Sequence, residues 1–126
     1  MALDERLADQ DYCYITTTGR VTGRPHEIEI WFGARGDTIY MLAGGRERSD
    51  WVKNIRDEPA VKVRIGRRRL VGRGRIVRAK REDAMVRKLV AGKYRPRYSG
   101  DLDEWERSAL PVAIELSPAP PSRRAR

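Results

Sequence analysis

Residues 40–59 read YMLAGGRERSDWVKNIRDEP. A short apolar strand over Ile39–Leu42 runs into Gly44-Gly45, and Arg46 and Arg48 follow. Ser49 and Asp50 offer a helix start. Trp51 and Ile55 then stand four residues apart, on one helical face. Pro59 stops the helix, and Val61-Lys-Val-Arg-Ile65 alternates as a new strand. The order is strand, glycine turn, helix N-terminus. Such a helix end has unpaired N–H groups and partial positive charge, so it can hold an anion, and two arginines strengthen that field. The same pattern also serves as an ordinary βα connection with a capped helix and a solvated arginine pair.

Upstream, Tyr12–Thr18 is β-branched and aromatic, hence a strand. Gly19–Gly23 is turn material before Pro25. His26–Phe32 alternates, with Glu27 and Glu29 on one face and Ile28, Ile30 and Phe32 on the other. Ala34–Asp37 is a hairpin turn with its glycine at Gly36, and Thr38–Ala43 is the next strand. Downstream, Arg69–Arg78 is a strand whose Gly72 and Gly74 share one face, suiting a bulge, a sharp bend or close approach of a planar ligand. Lys80–Lys93 carries a helical apolar stripe of Met85, Val86, Leu89 and Val90. Residues 3–9 and Asp101–Arg107 suit short helices, and Leu110–Leu116 is a final strand. Six short, mostly hairpin-linked strands suggest a small barrel, because closure removes sheet edges. The domain is expected over residues 1–116, with 117–126 a proline-rich, basic, disordered tail.

The 126 residues suffice for one core, and no apolar run is long enough for a membrane span. One cysteine, Cys13, excludes an internal disulfide and points to an intracellular, cytoplasmic protein. Its apolar setting makes it a small buried hydrophobe. The single histidine, His26, rules out a histidine pair with metal-ligand spacing, and no metal site is expected. No dinucleotide or P-loop fingerprint is present, and no catalytic side chain stands out. Chemistry, if any, falls to an organic cofactor. The net charge of +9 asks for an anionic partner: nucleic acid, lipid or an anionic small molecule.

The series Thr16-Thr-Thr-Gly-Arg-Val-Thr-Gly-Arg-Pro25, then strand, hairpin, strand, Gly44-Gly45, Trp51, Asn54, Pro59 and Val61-Lys-Val resembles the deazaflavin-dependent nitroreductase family. That family sits in the split β-barrel flavin-binding superfamily, beside the pyridoxamine 5′-phosphate oxidases. The resemblance runs from about Tyr12 to Ile76 and on to Leu116. It implies a mainly β protein with short helices, a six-stranded antiparallel split β-barrel. It also implies F420 as cofactor, a hydride carrier with a phosphodiester and an acidic glutamate tail. Two segments would hold it: Arg20, Val21, Thr22, Arg24 and His26 in the first turn, and Ala43, Gly44, Gly45, Arg46, Arg48, Ser49, Trp51 and Asn54 in the second. Val21 stands where the family often has lysine, His26 where it often has arginine, and Ala43 where a lysine often precedes the glycines. The Gly45–Trp51 segment also looks one residue shorter than in many relatives. Arg24, Arg46 and Arg48 would substitute.

The resemblance implies an F420H2-dependent oxidoreductase that transfers hydride from the reduced deazaflavin to a small organic acceptor. Two alternatives keep the barrel. One replaces F420 with FMN, which also carries a phosphate. The other is a nucleic-acid-binding barrel, which the charge favours; the aromatic stacking platforms it needs are missing from Arg64–Arg81, which ranks it last. A homodimer is compatible with the sequence.

Overall fold

Short β-branched runs punctuated by glycine turns fold here into antiparallel strands. The structure is a computed structural model that describes residues 3–118. In chain order the elements are α1 (Glu5–Ala8), β1 (Cys13–Thr18), β2 (Pro25–Ile30), β3 (Gly33–Arg35), β4 (Thr38–Ala43), α2 (Asp50–Asp57), β5 (Ala60–Ile65), β6 (Arg68–Ile76), α3 (Lys80–Tyr94), α4 (Asp103–Ser108) and β7 (Leu110–Pro118). Single 3₁₀ turns occupy Arg46–Arg48 and Arg95–Arg97.

The strands form one sheet in the order β2-β1-β5-β6-β7-β4-β3. Its curl follows from that order. The two edge strands, β2 and β3, are joined by Trp31-Phe32 alone, a link that spans at most about 11 Å. In a flat sheet seven strands wide the edges would lie roughly 29 Å apart. The sheet must therefore wrap until its edges nearly meet, which is a barrel split between β2 and β3.

There are seven strands rather than the expected six: the run over His26–Phe32 ends at Ile30, and Ala34 and Arg35, expected in the hairpin turn, instead pair with Ile39 and Thr38 as β3, leaving Gly36-Asp37 as the turn. Phe32 leaves the ladder. Its N–H donates to Tyr94 Oη at 3.0 Å, and its carbonyl accepts from Lys93 Nζ at 2.9 Å. Phe32 itself is fully buried.

Inside the curl, Cys13, Ile15, Ile39, Met41, Val63, Ile65, Leu70 and Ile114 pack with Val52 and Ile55 of α2. Outside it, α3 covers part of the sheet, where Val86, Val90 and Tyr94 pack on Tyr40, Leu42 and Ala113. β4 is thus buried on both faces, which explains its unbroken apolar run. The buried face of α2 is Val52, Asn54 and Ile55. Trp51, expected on the same helical face as Ile55, packs half-buried at the margin of the core.

Gly72 and Gly74 face inward, and the registers of β6 with β5 and β7 are continuous, without a bulge. A Cβ on Gly72 would stand 2.5 Å from Ile114 Cγ2, and one on Gly74 would stand 2.8 Å from Ile55 Cγ2. The glycines therefore make room for the Ile114 and Ile55 side chains. β7 continues to Pro118, past its expected end at Leu116. The rest of the expected tail, residues 119–126, lies outside the described residues.

Candidate functional site

Two segments remote in sequence meet at Arg20. Its backbone N–H and its Nη1 both donate to Asn54 Oδ1, at 3.2 and 2.8 Å. Its Nη2 lies 3.1 Å from Asp50 Oδ1, and Nη1 also reaches the Asp50 carbonyl at 3.4 Å. On the inner side, Asn54 Nδ2 donates to Thr17 Oγ1 at 3.1 Å. Thr17 and Asn54 are 1% and 3% exposed, and they are the buried polar residues among those described. The result is a polar line from core to solvent: Thr17, Asn54, Arg20, Asp50. Burial of the two inner groups is tolerated because their hydrogen bonds are made.

This line floors an open cleft of about 590 Å³. The β1–β2 turn supplies Arg20, Val21 and Thr22 and the start of β2 supplies His26 as one wall, and α2 supplies Asp50, Trp51 and Asn54 as the other. The turn closes on itself, with Gly19 N–H donating to the Arg24 carbonyl at 2.8 Å. Gly19 carries no Cβ because His26 Nε2 would lie 2.6 Å from it. A second groove, of about 690 Å³, shares Thr17 and Pro25 with the cleft and continues along Thr16, Thr18, Lys62, Val71 and Arg73.

Of the expected site residues, Arg20, Val21, Thr22, His26, Trp51 and Asn54 therefore converge. The others do not line this cleft. Arg24 is exposed on the turn. Ala43 is buried in the core at 2% exposure. A Cβ on Gly44 would approach Trp105, and one on Gly45 would meet Ser49 Oγ. Arg46 adopts a left-handed φ of 53°, and its Nη1 donates to the Ser108 carbonyl at 2.6 Å. It is thereby committed toward α4. Arg48 is exposed. The parts sequence reasoning missed are Thr17, seen only as strand, and the pairing of Asp50 with Arg20. No spacing rule links residues 30 positions apart.

Catalytic side chains are sparse. Burial pushes the Cys13 thiol up to about 12, which makes it a poor nucleophile. Among the described residues no cluster of His, Cys, Asp and Glu could hold a metal ion. Tyr94, 1% exposed, stacks on Trp31 and donates its hydroxyl to the Asp11 carbonyl at 2.7 Å, so it packs rather than lining a substrate site. Tyr98 lies edge-on to Trp31, with 48% exposure. No helix among the described residues is long and apolar enough to cross a membrane.

F420 joins a planar ring to a phosphodiester and carboxylates, so it needs a cation, open donors and a long groove. Arg20 supplies the cation. Ser49 makes no side-chain capping bond to α2, so no hydroxyl closes the first-turn N–H groups. The cleft and its adjoining groove supply the length. These residues fit the group.

The structure is thus a split β-barrel with an open cleft between its first turn and α2. The chain matches the model of the F420H(2)-dependent quinone reductase family over residues 2–117, and it belongs to that family. It is an F420-dependent oxidoreductase, and F420 is its cofactor. No curated protein matches the chain. Solved structures of similar fold include an F420-H2 dependent reductase at 20% identity and TM-score 0.67, covering 83% of this chain and 94% of that one. A conserved hypothetical protein from Mycobacterium tuberculosis shows 19% identity and TM-score 0.68, with 90% and 80% covered. An FAD-binding protein from Mesorhizobium loti shows 13% identity and TM-score 0.62, with 93% and 92% covered. At these identities the likeness establishes the fold.

Proposed function

We propose that this chain transfers hydride from reduced F420 to a small organic acceptor of the quinone class, and that the cleft between the β1–β2 turn and α2 holds the cofactor's anionic groups. The observation that carries this is the Arg20 guanidinium, fixed by buried Asn54 at the mouth of an open cleft. Family membership gives the cofactor, and the family's description supports the quinone acceptor class. When bound, reduced F420 supplies the hydride.

The chain's own part is to bind and orient. Arg20 meets the phosphodiester, with Arg24 at the rim of the turn and the first-turn N–H groups of α2 on the opposite side. Val21, Thr22, His26 and Trp51 shape the walls. Arg46 and Arg48 are given no part in this reading, because the first donates to the Ser108 carbonyl and the second does not line this cleft. The cleft is open to water, so a reduced acceptor takes its proton from solvent without a dedicated side-chain acid.

The test is anaerobic oxidation of F420H2, followed by deazaflavin absorbance, with quinone and nitroaromatic acceptors in parallel. Quinone-dependent oxidation above the enzyme-free rate supports the proposal. No acceleration with any acceptor, despite F420 binding, would reduce the protein to a cofactor carrier.

A further inference from the structure

Arg20 is held asymmetrically. Its backbone N–H and Nη1 are fixed by Asn54 Oδ1, and Asn54 is in turn anchored on Thr17 inside the barrel. Its Nη2 meets a single side chain, the Asp50 carboxylate, at 3.1 Å. The Asp50 side chain is 84% exposed and that of Arg20 31%. One half of the guanidinium fork is therefore rigid and the other half exchangeable, because exposed ion pairs are weak and readily replaced. The oxygen that occupies the exchangeable donor is a carboxylate oxygen on the cleft wall. A phosphodiester oxygen entering the cleft presents the same chemistry to the same N–H.

We propose that Asp50 is an internal competitor for Arg20 Nη2, and that it lowers the affinity of the cleft for the cofactor's phosphodiester. This rests on the functional reading above. Asn54 acts as the positioning residue: it keeps the guanidinium in place while Nη2 changes partner. Asp50 thereby tunes how tightly the cofactor is held and how readily it leaves. Among the described residues no other carboxylate shares that donor. Glu27, also on the cleft wall, lies 3.8 Å from Arg64 Nη2.

Two opposite outcomes separate this role from a supporting one. If Asp50 merely braced Arg20 for the cofactor, removing its charge would weaken binding. If it competes, removing its charge tightens binding. The experiment is a fluorescence titration of oxidised F420 into the parent, Asp50→Asn, Arg20→Ala and the double variant. Asp50→Asn should tighten binding about two- to fivefold, the scale of one exposed ion pair. In the Arg20→Ala background the same change should do nothing, because the contested donor is gone. Damage to the fold cannot mimic a gain in affinity. Unchanged or weaker binding by Asp50→Asn overturns the inference, and so does equal tightening in both backgrounds, which would be a general charge effect. A parent that binds no F420 overturns the functional reading, and this inference with it.

Discussion

Asn54 Nδ2 donates to Thr17 Oγ1 across 3.1 Å, joining α2 to β1 through the two buried polar side chains of the described chain. Asn54→Ala strands the Thr17 hydroxyl and the Arg20 N–H. It should cost about 1–3 kcal/mol of stability in a denaturant melt. The pair Thr17→Val with Asn54→Leu should cost less than the sum of the single changes, because it leaves fewer polar groups unpaired.

Gly74 sits beneath Ile55, where a Cβ would come within 2.8 Å of its Cγ2. Gly74→Ala should destabilise by about 1–3 kcal/mol through overpacking. In an Ile55→Ala background, where the colliding methyl group is gone, the same change should cost markedly less. Equal costs in both backgrounds would show that α2 does not seat there.

Ile55 is 2% exposed, whereas Trp51 is only half-buried. Ile55→Ala should therefore cost about 2–5 kcal/mol. Trp51→Ala should cost about 1–2 kcal/mol, since only part of its ring leaves water on folding. Thermal or urea melts give the order directly.

Glu82 receives two hydrogen bonds from Arg75, at 2.9 and 2.7 Å, while Arg75 also holds Glu115 at 3.0 Å. The Arg75 guanidinium holds the Glu82 carboxyl below its ordinary value. A depressed carboxyl contributes stability that is present above its unfolded pKa and lost as pH falls through the folded one. The gap in melting temperature between the parent and Glu82→Gln should therefore be full at neutral pH and close in acid. A gap independent of pH would show that the ion pair is not the cause.

Much of this was legible in the sequence because the signals were local. The helix expected between Ser49 and Pro59 forms over Asp50–Asp57, since those two residues bracket it and its apolar spacing is helical. β4 and β5 were set by unbroken or alternating apolar runs. The break at Trp31-Phe32 was not legible, because it depends on Tyr94 and Lys93, about 60 positions away, capturing the Phe32 backbone. The inward glycines likewise gave no hint of Ile55 above them. At the site, the first-turn residues and Trp51 and Asn54 could be picked out as a pattern, and the structure brings them to one cleft. The contact of Arg46 with Ser108 could not be read, because its left-handed backbone and that bond arise only when α4 is in position.

The central claim is that Arg20 holds the anionic part of F420 in the cleft facing α2. Its most direct test is a titration of oxidised F420 into the parent and Arg20→Ala, with Arg107→Ala as control, whose guanidinium pairs with Glu104 on α4. A charge-assisted bond contributes about 1.5–3 kcal/mol, so Arg20→Ala should raise Kd about tenfold to a hundredfold, while Arg107→Ala should leave it unchanged. Identical Kd values for the parent and Arg20→Ala would contradict the account.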